Sequence, residues 1–438
     1  MALFAKDAAP LGQPYWWEDV VWPALDGALP RKVDLLVVGG GYTGLSAAIA
    51  AHDAGAKVAV IDAGRPGAAA SSRNGGMVGA HPRLSWEALA SANGAEVADA
   101  IFVESGAALD WMQALIAREG IDCDYETSGR IQLAFTAAHF EGQRVLASRV
   151  GEKSAVACRL IEGADLGAEI ASPLYKGGLL FPEHGSLHPA KYYLGLLAAV
   201  LKRGVPVIGD CPAEALADLN GGKQVQTPRG MVRAERVLLA TNGYTGRPFG
   251  WFMRRVFPLP SFLIATEPLS ENMIGDLAPA RRMMVETRAR HSYFRVSPDG
   301  TRIIFGGRAA MVHVDLRTAA KRLHATMCEI WPSLKEVQIT HAWSGNTGFA
   351  FGQMPVVGER DGVHYAMGFS GSGTVMAPYL GAKAAFQALG LPEGETAYTR
   401  TRLQTRWFHP GGAPHFLKGA EVWFKQWVDR RENSAAGR

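Results

Sequence analysis

Three glycines, Gly39, Gly41 and Gly44, stand in "VVGGGYTGLSAA", and an acid, Asp62, closes the run "KVAVID" downstream. Glycine at the first position permits a tight turn, and at the second it lets main chain approach a pyrophosphate. At the third it lets a helix, begun by Tyr42 and Thr43, sit close on the preceding strand. The free N–H groups of that helix start then face the negative charge. Asp62, followed by Ala63, is placed to accept hydrogen bonds from an adenosine ribose, and its charge repels a 2′-phosphate. Such a glycine pattern is weak alone; strand, helix, second strand and acid in register make it a dinucleotide site.

A second polar stretch follows at once: "SSRNGG", Ser71, Ser72, Arg73, Asn74, Gly75 and Gly76. A nicotinamide dinucleotide leaves such a crevice with a small ring and has no use for it. FAD carries a ribityl chain and a three-ring isoalloxazine that must be held along their length. The hydroxyls of Ser71 and Ser72, the amide of Asn74 and bare backbone at Gly75 and Gly76 suit those oxygens and that flat ring. Near the other end, "GFSGSGT" sets Gly371, Ser372, Gly373 and Thr374 between a strand and a helix, a second elbow. FAD is therefore the expected ligand, and an NAD-dependent dehydrogenase is disfavoured.

The elements around these turns follow from periodicity. Residues 33–38 read as a buried parallel strand, 45–54 as an alanine-rich helix ended by Gly55, and "KVAVID" as a second strand. Together they make a right-handed βαβ unit. Helices are expected over 86–119 and 190–202, and strands over 128–135, 205–243, 257–264 and 292–307, with a turn at 298–300. The first 30 residues hold Pro14, Tyr15, Trp16, Trp17, Trp22, Pro23 and Pro30, which makes them an arm that docks its tryptophans on the body.

The chain has 438 residues, 48% apolar and 20% charged, enough for a full core in two intertwined lobes. A net charge of +4 without aromatic-interleaved basic runs excludes a nucleic-acid face, and Arg281, Arg282, Arg288 and Arg290 read as a solvated loop. The four cysteines match no metal spacing and no disulfide framework, so a reducing cytoplasm is the expected compartment. The start of the chain has no leader pattern, and no apolar run reaches about 20 residues. No Ser-His-Asp grouping or HExxH motif offers a competing chemistry.

"DLLVVGGGYTGLSAAIAAHDAGAKVAVIDAG…SSRNGG" resembles the start of the D-amino-acid oxidase-type flavoproteins. The likeness is greatest to the branch of glycine oxidase, sarcosine oxidase and gamma-glutamylputrescine oxidoreductase, and extends from about 33 to 392. It implies an adenine-contacting backbone near Ala213 and a return to the pyrophosphate at Thr241, Asn242 and Gly243. It places the backbone around 370–374 at the pyrimidine end of the ring, where a helix start favours the anionic reduced flavin. Gly345 falls where sarcosine oxidase has its flavin-linking cysteine, so FAD is expected to be held non-covalently.

The resemblance implies an α/β fold in which a Rossmann-like FAD-binding domain is interleaved with an antiparallel-sheet substrate domain of α+β character. The expected division is an arm over 1–32, an FAD part from 33–86, 185–250 and 340–395, a substrate part from 87–184 and 251–339, and an extension over 396–438. The implied reaction is oxidation of a small amine or amino acid at its C–N bond, by hydride transfer to flavin N5. The imine then hydrolyses to an aldehyde or keto acid, and oxygen or another acceptor takes the electrons. The alternative is an FAD-binding subunit of a larger complex without turnover of its own. Substrate-pocket candidates are Tyr293, Arg295 as a carboxylate partner, Trp343 and His81.

Overall fold

Apolar side chains on both faces suit a strand covered on both sides, and Lys32–Val38 is that strand. In the computed structural model, which describes residues 3–25 and 27–437, it lies between parallel neighbours Val58–Ile61 and Gly230–Leu239. Val207–Ile208 and Val363–Met367 extend the sheet on either side. Val356–Arg360 closes one edge antiparallel, and a hairpin of Ala215–Leu219 and Gly222–Thr227 hangs from Gly230–Leu239. Helices Tyr42–Asp53, Pro189–Lys202 and Gly373–Ala388 pack together in the core on one face. The second of these starts where expected, because the His188 side chain accepts from Lys191 N–H and Pro189 sits in its first turn.

A second sheet, also of eight strands, runs in the order Ile339–Ala350, Val256–Thr266, Ile303–Gly307, Tyr293–Val296, Met283–Glu286, Arg130–Ala134, Gly177–Phe181 and Arg159–Glu162. All its pairings are antiparallel except Met283–Glu286 with Arg130–Ala134. Helix Leu316–Ile330 and Trp331 bury its apolar face. The mixed α/β architecture thus stands as expected, with a mainly antiparallel second sheet. One stretch sits differently from the sequence division: Ile339–Ala350 is an edge strand of this second sheet, paired along Val256–Thr266. Pairing between segments so far apart in sequence leaves no local signature.

The amino-terminal arm holds one short helical turn, Tyr15–Trp17. Trp16 is fully buried beside Trp343, Leu263 and Ala190, and Trp17 donates to Ser72 Oγ at 3.0 Å. Of the arginine cluster at 281–290, Arg281 is exposed as expected, but the other three are held by acids. Arg288 is buried against Glu286 and Glu329, Arg282 pairs with Glu169, and Arg290 pairs with Asp429. The partners lie at other places in the chain or across a turn, which is why composition alone misreads the run.

Helix Ala95–Glu119 is long and apolar enough to cross a membrane by length and composition, and Ile101, Phe102, Leu109 and Met112 on it pack into the core. At the end of the chain, Phe416–Trp423, a wider π-turn Phe424–Val428 and Asp429–Ala435 form one helix. It is tied to the second sheet through Glu421, which accepts from Met311 N–H at 2.6 Å, and through Glu432, which accepts from Ala289 N–H.

Candidate functional site

The first glycine turn is built by close approach. Gly39 takes φ of +109°, and a Cβ there would come within 2.8 Å of Ala240 O. A Cβ on Gly41 would lie 2.8 Å from Ser71 Oγ, and one on Gly44 would strike Gly39 O. Asp62 locks the turn, accepting from Gly40 N–H at 2.7 Å and Gly64 N–H at 3.1 Å. Burial raises its pKa, and the N–H groups of Gly64, Gly40 and Ala63 oppose that rise. Cys211 N–H donates to Asp62 O, which brings the chain leading to Ala213 up to the acid.

Around this turn several expected ligands also hold the scaffold together. Tyr42 is buried with its hydroxyl donating to Pro189 O, and Thr43 lies under helix Gly373–Ala388, where a Cβ on Gly381 would strike its carbonyl. Ser71 Oγ accepts from Tyr42 N–H at 3.0 Å. Ser72 donates to Gly67 O and receives Trp17. Arg73 donates to Ala68 O and Gly12 O, beneath the Trp17 ring. Asn74 caps its own loop, accepting from Gly76 N–H and donating to Ser71 O. Asn242 accepts from Gly368 N–H at 2.9 Å, which ties the Thr241–Gly243 turn to the late elbow. There Ser370 and Gly371 take φ of +50° and +106°, and Ser372 precedes helix Gly373–Ala388. From Gly373 to Gly381 that helix advances ~12 Å, so the two elbows serve separate ends of an elongated ligand.

A cleft opens beside the late elbow, between the flavin loop and the second sheet. Arg73, Asn74, Gly75 and Met77 form one wall. Ser261 and Gly345, paired between the edge strand of the second sheet and its neighbour, face it, and Gly371 and Thr374 close an end. The residues fit FAD. The glycine turn would be filled by any Cβ, and Asn346 Oδ1 is buried on the cleft wall without a partner. None of the four free cysteines lines the cleft, so no thiol stands ready to attach the ring covalently.

Of the four pocket candidates, Tyr293 alone lines the cleft. Its ring slots between Gly75 and Gly306, where side chains would strike it, and its hydroxyl meets Ser261 Oγ at 2.9 Å. Burial pushes its pKa up to about 12, so it stays a neutral donor. Arg295 is on the same strand but buried behind Gly76, donating to Leu187 O at 2.9 Å under the Trp16 ring. The docked arm fills the space a substrate would need there. Trp343 is fully buried, and its Nε1–H donates to Arg73 O at 2.9 Å, bracing the cleft wall from behind. His81 stacks on Phe181 at 4.5 Å, outside the cleft, and receives Arg130. Burial, then the Arg130 charge, holds its pKa well below the usual imidazole range.

The cleft instead presents Arg83, Arg308 and His291, none of them singled out by sequence. Arg83 donates to Ser370 O at 3.3 Å and to Gln353 and lies over the Phe349 ring; Arg308 donates to Ala289 O at 3.1 Å. Among the described residues neither has an ion-pair partner, and no carboxylate lines the cleft. Burial lowers the pKa of both; for Arg308 the Arg83 charge adds to the effect, and Glu421 and Asp429 behind the cleft wall oppose it. His291 is pushed down to about 3 by burial, then by Arg83, Arg308 and Arg130. The signals were faint: one arginine follows "FGG" at a strand end, the other the flavin loop in "HPR".

Two interleaved sheets, a dinucleotide turn and a ring-sized cleft between them define a flavin-dependent oxidoreductase. The family model described as FAD dependent oxidoreductase matches residues 34–387, and the chain belongs to that family. It is 30% identical over 390 residues to "Probable oxidoreductase OrdL" of Rhizobium meliloti (strain 1021), covering 87% of this chain and 90% of that protein. It is 30% identical over 351 residues to "Gamma-glutamylputrescine oxidoreductase" of Escherichia coli (strain K12), covering 78% and 80%. In fold it is similar to crystalline glycine oxidase from Geobacillus kaustophilus, with a TM-score of 0.72 at 19% identity, over 86% of this chain and 99% of that one. The protein is an FAD-dependent oxidoreductase.

Proposed function

We propose that the protein oxidises the C–N bond of a small amine that carries a carboxylate. The observation that carries this reading is the pair of guanidiniums, Arg83 and Arg308, on a cleft that lacks any carboxylate. A substrate carboxylate would replace the missing anion, with charge-assisted hydrogen bonds to one or both. FAD bound in the cleft supplies a hydride acceptor at N5 for the carbon beside nitrogen.

The chain's own residues prepare the amine. Two nearby cations disfavour an ammonium, so the nitrogen reaches the site with its lone pair free. His291, neutral at pH 7, is too weak a base to take a proton but can accept a hydrogen bond from the amine. Tyr293 donates or accepts beside Ser261, and Phe349 and Leu263 keep that side of the cleft dry. The imine product hydrolyses in water to an aldehyde or keto acid. The free thiols fit a reducing compartment, and the cytoplasm is the proposed location.

The test is anaerobic mixing of the yellow protein with a panel of carboxylate-bearing amines, their amides and plain alkylamines. The reading expects flavin bleaching by members of the first group and recovery on admitting air or a quinone. Bleaching by alkylamines alone, or by none of the panel, would sink it.

A further inference from the structure

The outward face of the carboxy-terminal helix carries large apolar groups that the cleft does not use. Trp423 and Trp427 are 55% and 68% exposed, and Val422 beside them 52%. Monomeric surfaces rarely leave such rings in water without a partner. Trp423 and Trp427 are one helical turn apart, on one stripe. The π-turn decides this arrangement. Leu417, Ala420 and Phe424 point inward, and at plain α-helical spacing Trp427 would follow them toward the body. The wider turn at Phe424–Val428 inserts one residue, so that Asp429 is the next inward group, under Arg290, and Trp427 turns out.

Charge is sorted by the same geometry. The acids of this segment, Glu421, Asp429 and Glu432, all point inward, to Met311 N–H, Arg290 and Ala289 N–H. On this helix every exposed charged residue is a cation: Lys418, Lys425, Arg430 and Arg431, of which Lys425 also pairs with Glu421. Indole rings flanked by outward cations match the headgroup zone of a bilayer, which takes up amphipathic rings and attracts Lys and Arg to anionic lipid. We propose that this face docks the protein peripherally on a membrane surface rich in anionic phospholipid. A protein partner or a second copy would fit the rings equally, but the one-signed rim selects the anionic surface.

The experiment is flotation of the full-length flavin-loaded protein with vesicles of phosphatidylcholine, or of phosphatidylcholine with phosphatidylglycerol, while tryptophan emission is recorded. Binding is expected only with phosphatidylglycerol, with a blue shift, and weakening at high salt. Arg430→Gln and Arg431→Gln should each lower partitioning about fivefold. Trp423→Ser with Trp427→Ser should lower it by roughly tenfold or more without changing flavin content or bleaching by amine. Absence of binding to either vesicle would overturn the proposal, as would binding unaffected by the tryptophan substitutions. So would a tryptophan-dependent dimer in vesicle-free buffer that ignores lipid.

Discussion

Arg308→Leu separates function from stability. The guanidinium donates to one carbonyl, Ala289 O, lies 5.6 Å from the Phe424 ring and has no carboxylate partner. Removing it takes a cation from near Glu421 and Asp429, which keep Lys425 and Arg290 as ion-pair partners, and relieves a charge held in a poorly solvated place. The melting temperature is therefore expected to change little. A substrate carboxylate would lose a charge-assisted partner, and truncating one side of such a buried pair costs ~2–5 kcal/mol. At about 1.4 kcal/mol per decade, kcat/KM for a carboxylate-bearing amine should fall roughly 30- to several-thousand-fold. The amide of the same substrate should lose less than about fivefold. The assay is anaerobic stopped-flow flavin reduction with acid and amide, beside a thermal scan of flavin fluorescence. Combining it with Arg83→Leu tells whether both arginines hold one group: losses smaller than additive mean a shared carboxylate, additive losses two separate contacts. Equal losses on acid and amide, or a loss that merely follows a drop in melting temperature, would refute the reasoning.

Asp62→Asn turns one of the two acceptors for Gly40 and Gly64 into a donor and removes the ribose-facing charge. Apoprotein titrated with FAD should show a Kd weakened by roughly tenfold or more, and an unchanged Kd would remove the acid from the cofactor site. Gly44→Ala drives a methyl into Gly39 O, so helix and strand must part, and the purified variant should retain little flavin; full yellow occupancy would contradict the packing. His188 is held down to about 4 by burial, then by Lys191, and His184 well below its usual value by burial, then by Arg130. Both folded pKa values lie beneath the unfolded ones, so the unfolded chain binds more protons as pH falls below about 6.5. Stability is complete above that pH and drains on acidification, by about 1.4 kcal/mol per pH unit for each histidine. Urea midpoints of the holoprotein at pH 7 and pH 5 check the sign, and a midpoint that rises toward pH 5 would reverse it.

The two elbows were legible because their information is local. Glycine spacing, the apolar run before it and the acid after it lie within one βαβ unit, and the late strand, turn and helix repeat the logic within a few dozen residues. The same local reading assigned polar residues of the flavin loop to the ligand. In the fold, Ser72 bonds neighbouring main chain and the arm, and Asn74 holds its own loop while lining the cleft. A hydroxyl or amide type shows that a hydrogen bond will form, and only the surrounding chain shows with whom.

The sequence by itself determined the cofactor class and the helix and strand that grip each end of it, since periodicity and backbone freedom act over a few residues. Tertiary structure decided which cations face the substrate. Arg295 and Arg308 lie on neighbouring segments of one sheet, yet the docked Trp16 arm claims the first for scaffold. Arg83, from a loop far away in sequence, brings a second positive charge up to Arg308, against which Glu421 and Asp429 act from the other side. Charge neutrality inside a protein is a property of the groups brought together in space, and no local pattern carries it.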